Sequence, residues 1–312
     1  MDSLPLPTTL NTGVFVIRSK NNSCLSLFLY YILTSNYFKD FLAKLTAGST
    51  ITHLYQKDFV TFSFKIPDIT EQEKIVRSLS DTDELLKHFE YLIKKKKNIK
   101  QGMMQELLTG KKRLNGFNEK WKAVTFGDIS KIKRGASPRP IENPKYFGRG
   151  RGWVRISDVS KSFKYLEKTK DYLSKLGESQ SVLVNEGDVI MSIAATVGRP
   201  ILVKMEACIH DGFIVFSQLL DNMDPEFLYY ILKQIELKLS KSGQQGTQSN
   251  INSKLVSKLE FLKPSKKEQE TISKILSDMD NEIQELKKQQ DKYINLKQGI
   301  MQKLLIGEIR IK

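Results

Sequence analysis

The chain has 312 residues, of which 50 are Lys or Arg and 35 are Asp or Glu, so its formal net charge is +15. This length is too great for one small module and suits two or three compact units, each with its own core. The charge disfavours acidic substrates and favours a polyanion as partner, so nucleic acid is the first hypothesis. The alternative is that the charge only maintains solubility.

The two cysteines are too few for a disulfide framework or a four-ligand zinc site. Cys24 and Cys208 each lie in an apolar stretch, which predicts buried thiols in a reducing compartment. The N-terminus has no signal-peptide pattern, and no apolar stretch approaches the roughly 18 residues of a membrane span. We therefore expect a cytoplasmic protein that has no membrane partner.

An internal repeat organises the chain. The segment Phe28–Leu33 recurs as Phe227–Leu232, and Glu71–Glu73 recurs as Glu268–Glu270. Two copies of one unit are therefore present. The second copy begins near Leu114, whereas the first matches only the last part of the unit, so we expect the front part of the first copy to be missing.

A long helix with a heptad pattern ends each copy. Capping-box patterns begin at Thr70 and Ser265, each just after a proline. Apolar residues then alternate at steps of four and three. The helix-pairing positions that we assign are Ile75, Leu79, Leu86, Phe89 and Ile93 in the first copy and Ile272, Leu276, Met279, Ile283 and Leu286 in the second. Two such seams can bury each other as an antiparallel coiled coil; the alternative is that each helix packs on its own domain.

The body between the helices predicts mixed α and β structure. Short β-branched runs are separated by Gly, Pro, Asn and Asp, and Pro225 suits the first turn of a helix that reaches about Leu239. The predicted fold class is α+β, with two long helices that pair antiparallel. The expected domains are a partial first domain at 1–68, a first helix at 69–112, a complete second domain at 113–265 and a second helix at 266–312.

Positive charge is densest between Lys131 and Arg155, where eight basic residues accompany one acid, Glu142. Glycines and prolines there predict a segment that is mostly loop, in which backbone can approach a phosphate and Arg can reach a base edge. The candidate DNA-binding residues in and beside this segment are Lys133, Arg134, Ser137, Arg139, Lys145, Arg149, Arg151, Arg155 and Ser157.

A second candidate surface follows the helix at Pro225. Its amide side chains suit adenine, although such a stretch is equally typical of a flexible loop. The residues are Gln244, Gln245, Gln248 and Asn250.

Signatures of catalysis are missing from the sequence. There is no phosphate-binding loop, and His53, His88 and His210 share no metal-ligand spacing with the cysteines. We therefore predict a binding protein without catalytic residues or a metal site. A coiled-coil scaffold with incidental charge, and an enzyme with an unrecognised nuclease or methylase site, are the alternatives.

Several short motifs occur in a fixed order: Phe126–Ile129, Trp153–Asp158, Asn185–Ser192, Phe227–Leu232 and Gly246–Gln248. Together with the duplicated helix, they make the chain closely resemble the specificity subunit of type I restriction-modification enzymes. The resemblance implies target recognition domains, each reading one half of a bipartite double-stranded DNA site, and paired spacer helices that set the gap between the halves.

The resemblance also implies partners and their cofactors. Such a subunit binds no cofactor and has no catalytic centre; methyltransferase (M) subunits use S-adenosylmethionine, and restriction (R) subunits use ATP and Mg²⁺. The subunit directs adenine methylation and the restriction of unmodified DNA.

This sequence departs from the family pattern in its first copy, which lacks counterparts of Trp121, the basic segment and Trp153. We therefore expect one half-site to be read, through residues 114–265. The chain is then either a truncated product or a subunit that pairs with a second specificity chain. The alternatives are a coiled-coil scaffold that does not read DNA, an inactive fragment, and a recombination cassette.

Overall fold

The structure is a computed structural model that describes five segments, residues 13–20, 22–46, 54–195, 197–241 and 252–311. The chain divides into two compact units, one within Met1–Lys95 and Ile283–Lys312 and the other within Lys96–Glu282. Within the described segments, every helix is too short or too polar to cross a lipid bilayer.

Helices and strands have the following bounds. The helices are α1 (Ser26–Thr34), α2 (Asn36–Thr46), α3 (Gln56–Phe59), α4 (Ile69–Leu107), α5 (Phe126–Ile129), α6 (Ile156–Lys161), α7 (Lys175–Glu178), α8 (Pro225–Lys241), α9 (Ser253–Ser257) and α10 (Lys266–Leu305). The strands are β1 (Lys122–Thr125), β2 (Lys131–Arg134), β3 (Phe147–Val154), β4 (Tyr165–Leu166), β5 (Asp171–Leu173), β6 (Val182–Val184), β7 (Val189–Ser192), β8 (Pro200–Val203), β9 (Ala207–Ile209), β10 (Phe213–Ser217) and β11 (Glu260–Lys263).

The two long helices run antiparallel within each unit. In the first unit, Lys297 of α10 forms an ion pair with Asp83 of α4, and the rings of Phe89 and Tyr293 lie 5.6 Å apart. In the second unit, Lys96 of α4 pairs with Glu282 of α10 at 2.6 Å. The α+β class and the antiparallel helix pair are therefore confirmed. Helix α4 has 39 residues, which corresponds to about 58 Å at 1.5 Å per residue.

Residues assigned to the helix seams are mostly buried, but they do not all face the other long helix. Ile75 and Leu79 pack on Phe28 and Ile32 of α1, in a cluster that Leu304 completes from the end of α10. Each helix thus contacts both its own body and the other helix. The buried seam residues are Ile75, Leu79, Phe89, Ile93, Ile272, Leu276 and Ile283, and the half-buried ones are Leu86, Met279 and Leu286.

The second unit repeats this packing with the corresponding residues. Ile272 and Leu276 lie in one cluster with Phe227 and Ile231 of α8, and Leu107 enters it from the end of α4. The internal repeat of the sequence is therefore also a repeat of the packing: the end of one copy's helix contacts the body and helix start of the other.

A buried glutamine fastens each long helix to its body. Gln269 Nε2 donates to the carbonyl oxygens of Pro264 (2.9 Å) and Asn222 (3.1 Å), and its Oε1 accepts from the Asp224 amide. Gln72 makes the equivalent bonds in the first unit, including one to the carbonyl oxygen of Pro67 at 2.8 Å. Because a buried amide side chain needs all its partners, these bonds fix the angle at which the chain enters each helix.

Two sheets and a separate antiparallel pair of strands form the body of the second unit. The five-stranded sheet has the order β2-β10-β7-β8-β4, the four-stranded sheet has the order β5-β3-β9-β6, and β1 pairs with β11. In the first sheet, Val215 of β10 lies between Lys133 of β2 and Ile190 of β7. Residues 213–216 of β10 are buried on both faces, as expected for a strand in the interior of a sheet.

The glycines and prolines predicted that the segment from Lys131 to Arg155 is mostly loop, but β2, one turn of 3-10 helix at Pro144–Tyr146 and all of β3 lie in it. The glycines of β3 mark close packing instead. A Cβ on Gly150 would lie 2.4 Å from the Leu173 carbonyl oxygen, and one on Gly152 would lie 2.4 Å from Thr169 Oγ1. Neighbouring elements therefore approach this strand too closely for a side chain.

The predicted burial of the two thiols holds for one of them. Cys208 is buried in β9, where burial raises the pKa of its thiol, whereas Cys24 is only half-buried. The apolar stretch that follows Cys24 forms α1, of which Phe28, Tyr31 and Ile32 are buried, and Cys24 itself precedes this helix at the edge of the first unit's core.

A network of buried polar side chains joins three helices and a strand edge in the second unit. Asp280 accepts a hydrogen bond from Tyr230 Oη at 2.8 Å and forms an ion pair with Lys100. Lys164, whose side chain is 4% exposed, reaches Glu226 at 2.8 Å and Ser277 Oγ at 2.6 Å. Among the residues that the structure describes, the first unit has the Tyr230, Asp280 and Lys100 part of this network, with Tyr31, Asp83 and Lys297 in the equivalent places.

Candidate nucleic-acid interface

Two turns and a strand end converge on one face of the second unit. The turn after β2 is held against the turn between β9 and β10, since the Gly135 amide donates to the Phe213 carbonyl at 2.9 Å and the Ala136 amide donates to the Ile209 carbonyl at 3.1 Å. The end of β3 reaches the same turn, since the His210 amide donates to the Val154 carbonyl at 3.2 Å.

Gly135 is where the two turns come closest. A Cβ at this position would lie 2.2 Å from the carbonyl oxygen of His210 and 2.7 Å from that of Ile209. Distances below about 3 Å between a Cβ and backbone are not sterically allowed, so only glycine fits. The turn after β2 therefore packs directly against the turn between β9 and β10.

Asp211 is the acceptor around which several predicted DNA-binding residues gather. Its Oδ1 accepts a hydrogen bond from Ser137 Oγ at 3.0 Å and its Oδ2 one from Arg139 Nη2 at 2.8 Å. Its carbonyl oxygen accepts from Arg134 Nε at 2.9 Å. We call these four residues, with His210, the Asp211 cluster.

Charge states in the Asp211 cluster follow from these contacts. Partial burial acts to raise the pKa of Asp211, but the hydrogen bond from Ser137 and the charge of Arg139 outweigh it and hold the pKa below its ordinary value. Burial lowers the pKa of His210, whose Nδ1 accepts from the Gly212 amide at 2.9 Å. At neutral pH the cluster therefore has an ionised aspartate, a neutral histidine and two arginines.

Arg155 extends this surface from the end of β3. Its guanidinium lies over the ring of the fully buried Trp153, 4.5 Å from the ring centre, and pairs with Asp171 at 3.0 Å. The Trp153 ring in turn contacts that of His210, with centroids 5.7 Å apart. Stacking and pairing hold this guanidinium in a fixed position at the surface.

Other residues predicted to bind DNA lie in different surroundings. Arg151 is held between Glu178 (2.8 Å) and Glu206 (3.0 Å), so its charge is paired within the protein. Lys145 lies over the Tyr146 ring at 5.0 Å. Lys145 is exposed, as are Lys133 on β2, Arg149 on β3 and Ser157 in α6. Gln244, Gln245, Gln248 and Asn250 lie outside the described residues.

Asp211 and His210 belong to this surface, but sequence reasoning did not select them. His210 enters the sequence predictions only as a histidine without metal-ligand spacing, and Asp211 does not enter them. The signal was present in the pattern His210-Asp211-Gly212, a polar turn between two buried strands. Across the described segments, no three His, Cys, Asp or Glu side chains lie close enough together to hold a metal ion.

Comparisons with known proteins agree on one family. The family described as the type I restriction modification DNA specificity domain matches residues 4–101 and 118–296. The chain is 24% identical, over 97% of its own length and 75% of the relative's, to the type I restriction enzyme MjaVIII specificity subunit of Methanocaldococcus jannaschii.

Solved structures show the same fold. The HsdS subunit from Thermoanaerobacter tengcongensis has a TM-score of 0.54 at 19% identity, over 91% of this chain and 70% of that one. A chain from a structure on complex assembly and conformational transition of the type I R-M system has a TM-score of 0.61 at 19% identity, over 94% and 74% of the two chains.

Proposed function

The chain belongs to the type I restriction modification DNA specificity family, and from this premise we propose that it is the DNA-reading specificity subunit of a type I restriction-modification complex. The observation that carries the proposal is the surface made by the Asp211 cluster and Arg155. Three arginines lie there on a rigid base of packed turns, and Arg is the side chain best suited to both phosphates and base edges.

The second unit's body is the part that we propose reads DNA, through one half-site and within residues 114–265. Exposed Lys133 and Arg149 would contact phosphates and set the register, while Arg139 and Arg155 would contact base edges. Arg151 is the weakest candidate of the predicted set, because two carboxylates already hold its guanidinium.

The chain acts in this proposal through partner subunits and performs no chemistry itself. Methyltransferase (M) subunits with S-adenosylmethionine would methylate an adenine that the recognition surface selects, and restriction (R) subunits with ATP and Mg²⁺ would act on unmodified DNA. The test is mapping of methylated adenines in the host genome with and without this gene. Loss of methylation at one defined sequence motif supports the proposal, and an unchanged methylation pattern contradicts it.

Binding of duplex DNA by the complex of this chain with its M subunits is expected to weaken steeply with salt. If a number Z of phosphates is neutralised, the slope of log K against log salt concentration is about −0.9 per phosphate. The measurement is fluorescence anisotropy at several salt concentrations, with heparin-competed samples as a control. A slope near zero would favour the scaffold alternative.

Arg139→Ala and Arg155→Ala are each expected to weaken binding to the cognate duplex by about 1–3 kcal/mol and to relax preference at one base position. The matched control is Lys274→Ala, which removes an exposed positive charge from α10. The measurement is competition binding against duplexes altered one base pair at a time. An equal loss on all sequences would assign the side chain to a phosphate.

A further inference from the structure

We propose that Asp211 is a positioning residue for base reading: it holds Arg139 and Ser137 in the geometry in which Arg139 contacts a guanine edge, and it lowers the affinity of the same surface for unrelated DNA. The inference rests on the proposed DNA-reading function and adds to it the source of selectivity. It concerns a residue that binds the reading side chain and does not itself contact the base.

A carboxylate is unfavourable in a surface that binds a polyanion, because it repels every phosphate that approaches. Asp211 carries that negative charge at neutral pH, since its pKa lies below the already low ordinary value of an aspartate. Both carboxylate oxygens are used within the protein, Oδ1 by Ser137 and Oδ2 by Arg139. The Asp211 carboxylate therefore positions the Ser137 and Arg139 donors while it lowers the affinity of the surface for DNA in general.

Arg139 is constrained at both ends. Its carbonyl oxygen accepts from Tyr146 Oη at 2.8 Å, and its Nη2 is fixed by Asp211, yet its side chain remains 68% exposed. A guanidinium has five N–H donors, so one bond to Asp211 leaves donors for the O6 and N7 acceptors of guanine, the base that Arg reads most often. Fixing the side chain before binding reduces the rotamer entropy lost on binding.

Stability of the fold gives little reason for this ion pair. Exposed pairs contribute about 0–1 kcal/mol to folding, and Arg139 is mostly exposed. Arg151 on β3 provides a contrast. Its side chain is half-buried between Glu178 and Glu206, as expected for ion pairs that stabilise the fold. Arg139 is exposed and is bound by one oxygen of Asp211, while Ser137 donates to the other oxygen. This arrangement is expected of a side chain that is positioned before it contacts a base.

The test uses the complex of the full chain with its M subunits and the variants Asp211→Ala and Asp211→Asn. Binding is measured to the mapped cognate duplex, to each single-base variant of it and to an unrelated duplex. For Asp211→Ala we expect the ratio of cognate to unrelated affinity to fall roughly 5- to 150-fold, the range of one good Arg–base contact. Affinity for the unrelated duplex should stay equal or rise, because a negative charge has been removed.

The position of the lost preference identifies the mechanism. Asp211→Ala should relax the same guanine position as Arg139→Ala, and the double variant should lose no more than the larger single loss, because the two side chains act as one unit. The matched control is Glu206→Ala, which removes an exposed carboxylate from Arg151. This control should raise affinity for all duplexes together and leave the ratio unchanged.

Three results would overturn the inference while the proposed function stands. These are an unchanged ratio in both Asp211 variants, a loss of preference at a different base from the one lost in Arg139→Ala, and additive losses in the double variant. Asp211→Asn keeps the shape of the side chain and serves if the alanine variant does not fold. A wild-type complex without any sequence preference would instead contradict the proposed function itself.

Discussion

Asp280→Ala is expected to lower the free energy of unfolding of the second unit by about 3–5 kcal/mol, the cost of removing one partner from a buried ion pair. The Asp280 side chain is 5% exposed and that of Lys100 is 13% exposed. Burial already lowers the pKa of Lys100, and the charge and hydrogen bond of Asp280 oppose that shift. Without Asp280, the ammonium of Lys100 would lose its carboxylate partner, and the hydroxyl of Tyr230 would keep only Ser277 Oγ, at 3.2 Å, as an acceptor.

Urea denaturation followed by circular dichroism measures the effect. Asp278→Ala is the control, since it removes an exposed carboxylate from the same helix two residues earlier, and its effect should stay within about 0.5 kcal/mol. Asp83→Ala, at the equivalent place in the first unit, should cost less because its side chain is 34% exposed. Equal midpoints for Asp280→Ala and Asp278→Ala would show that the buried network contributes little.

A rescue experiment separates lost pairing from lost packing. Replacing both partners by apolar residues, Lys100→Met with Asp280→Leu, removes the uncompensated charge together with its partner. Such replacements of buried pairs are often neutral or stabilising. We therefore expect the double variant to recover most of the loss. If it is as unstable as Asp280→Ala, the shape of the site rather than its charge decides stability.

The long helices could be predicted because their signals are local and occur twice. The capping pattern at Ser265 places the start of α10 within one residue of Lys266. The first helix, predicted at 69–112, ends at Leu107, and Gly110, three residues later, has a φ of 69°, which is typical of the turn after a helix. The heptad pattern alone did not reveal that Ile75 and Leu79 also pack on α1.

The surface that we propose reads DNA, made by the Asp211 cluster and Arg155, was predicted only in part, because its geometry depends on contacts between residues far apart in the chain. The charge density identified Arg134 and Arg139, but their bonds to Asp211 come from the turn before β10. That turn is brought beside β2 only by the register of the five-stranded sheet, in which Ile214 pairs with Arg134. A single sequence does not contain this register in any local pattern.

The prediction of a mostly loop structure from the glycines was wrong for a related reason. In β3 they suggested a loop, whereas they mark places where another element comes within van der Waals contact of the strand backbone. Composition alone does not distinguish a glycine needed for a turn from a glycine needed for close approach. The two cases are distinguished only by the atoms that lie next to the glycine. For Gly135 these atoms belong to the backbone of Ile209 and His210, at the turn between β9 and β10.

Gly135→Ala is therefore expected to damage stability and DNA selectivity together. The new Cβ would lie 2.2 Å from the His210 carbonyl oxygen, and backbone cannot yield as a flexible side chain can, so we expect a loss of about 1–3 kcal/mol or more in the free energy of unfolding. Separation of the two turns would also break the bond from the Ala136 amide to the Ile209 carbonyl. Hydrogen exchange at the Ala136 amide measures that opening directly.

Gly102→Ala is the matched control, because a Cβ added at this position on α4 would have no neighbouring atom within 4 Å, and alanine in a helix should stabilise by up to about 1 kcal/mol. In Gly135→Ala the ratio of cognate to unrelated DNA affinity should fall as in Asp211→Ala, since Arg139 and Ser137 would no longer meet the carboxylate. Retained selectivity in a destabilised Gly135→Ala variant would mean that base reading does not depend on contact between the two turns.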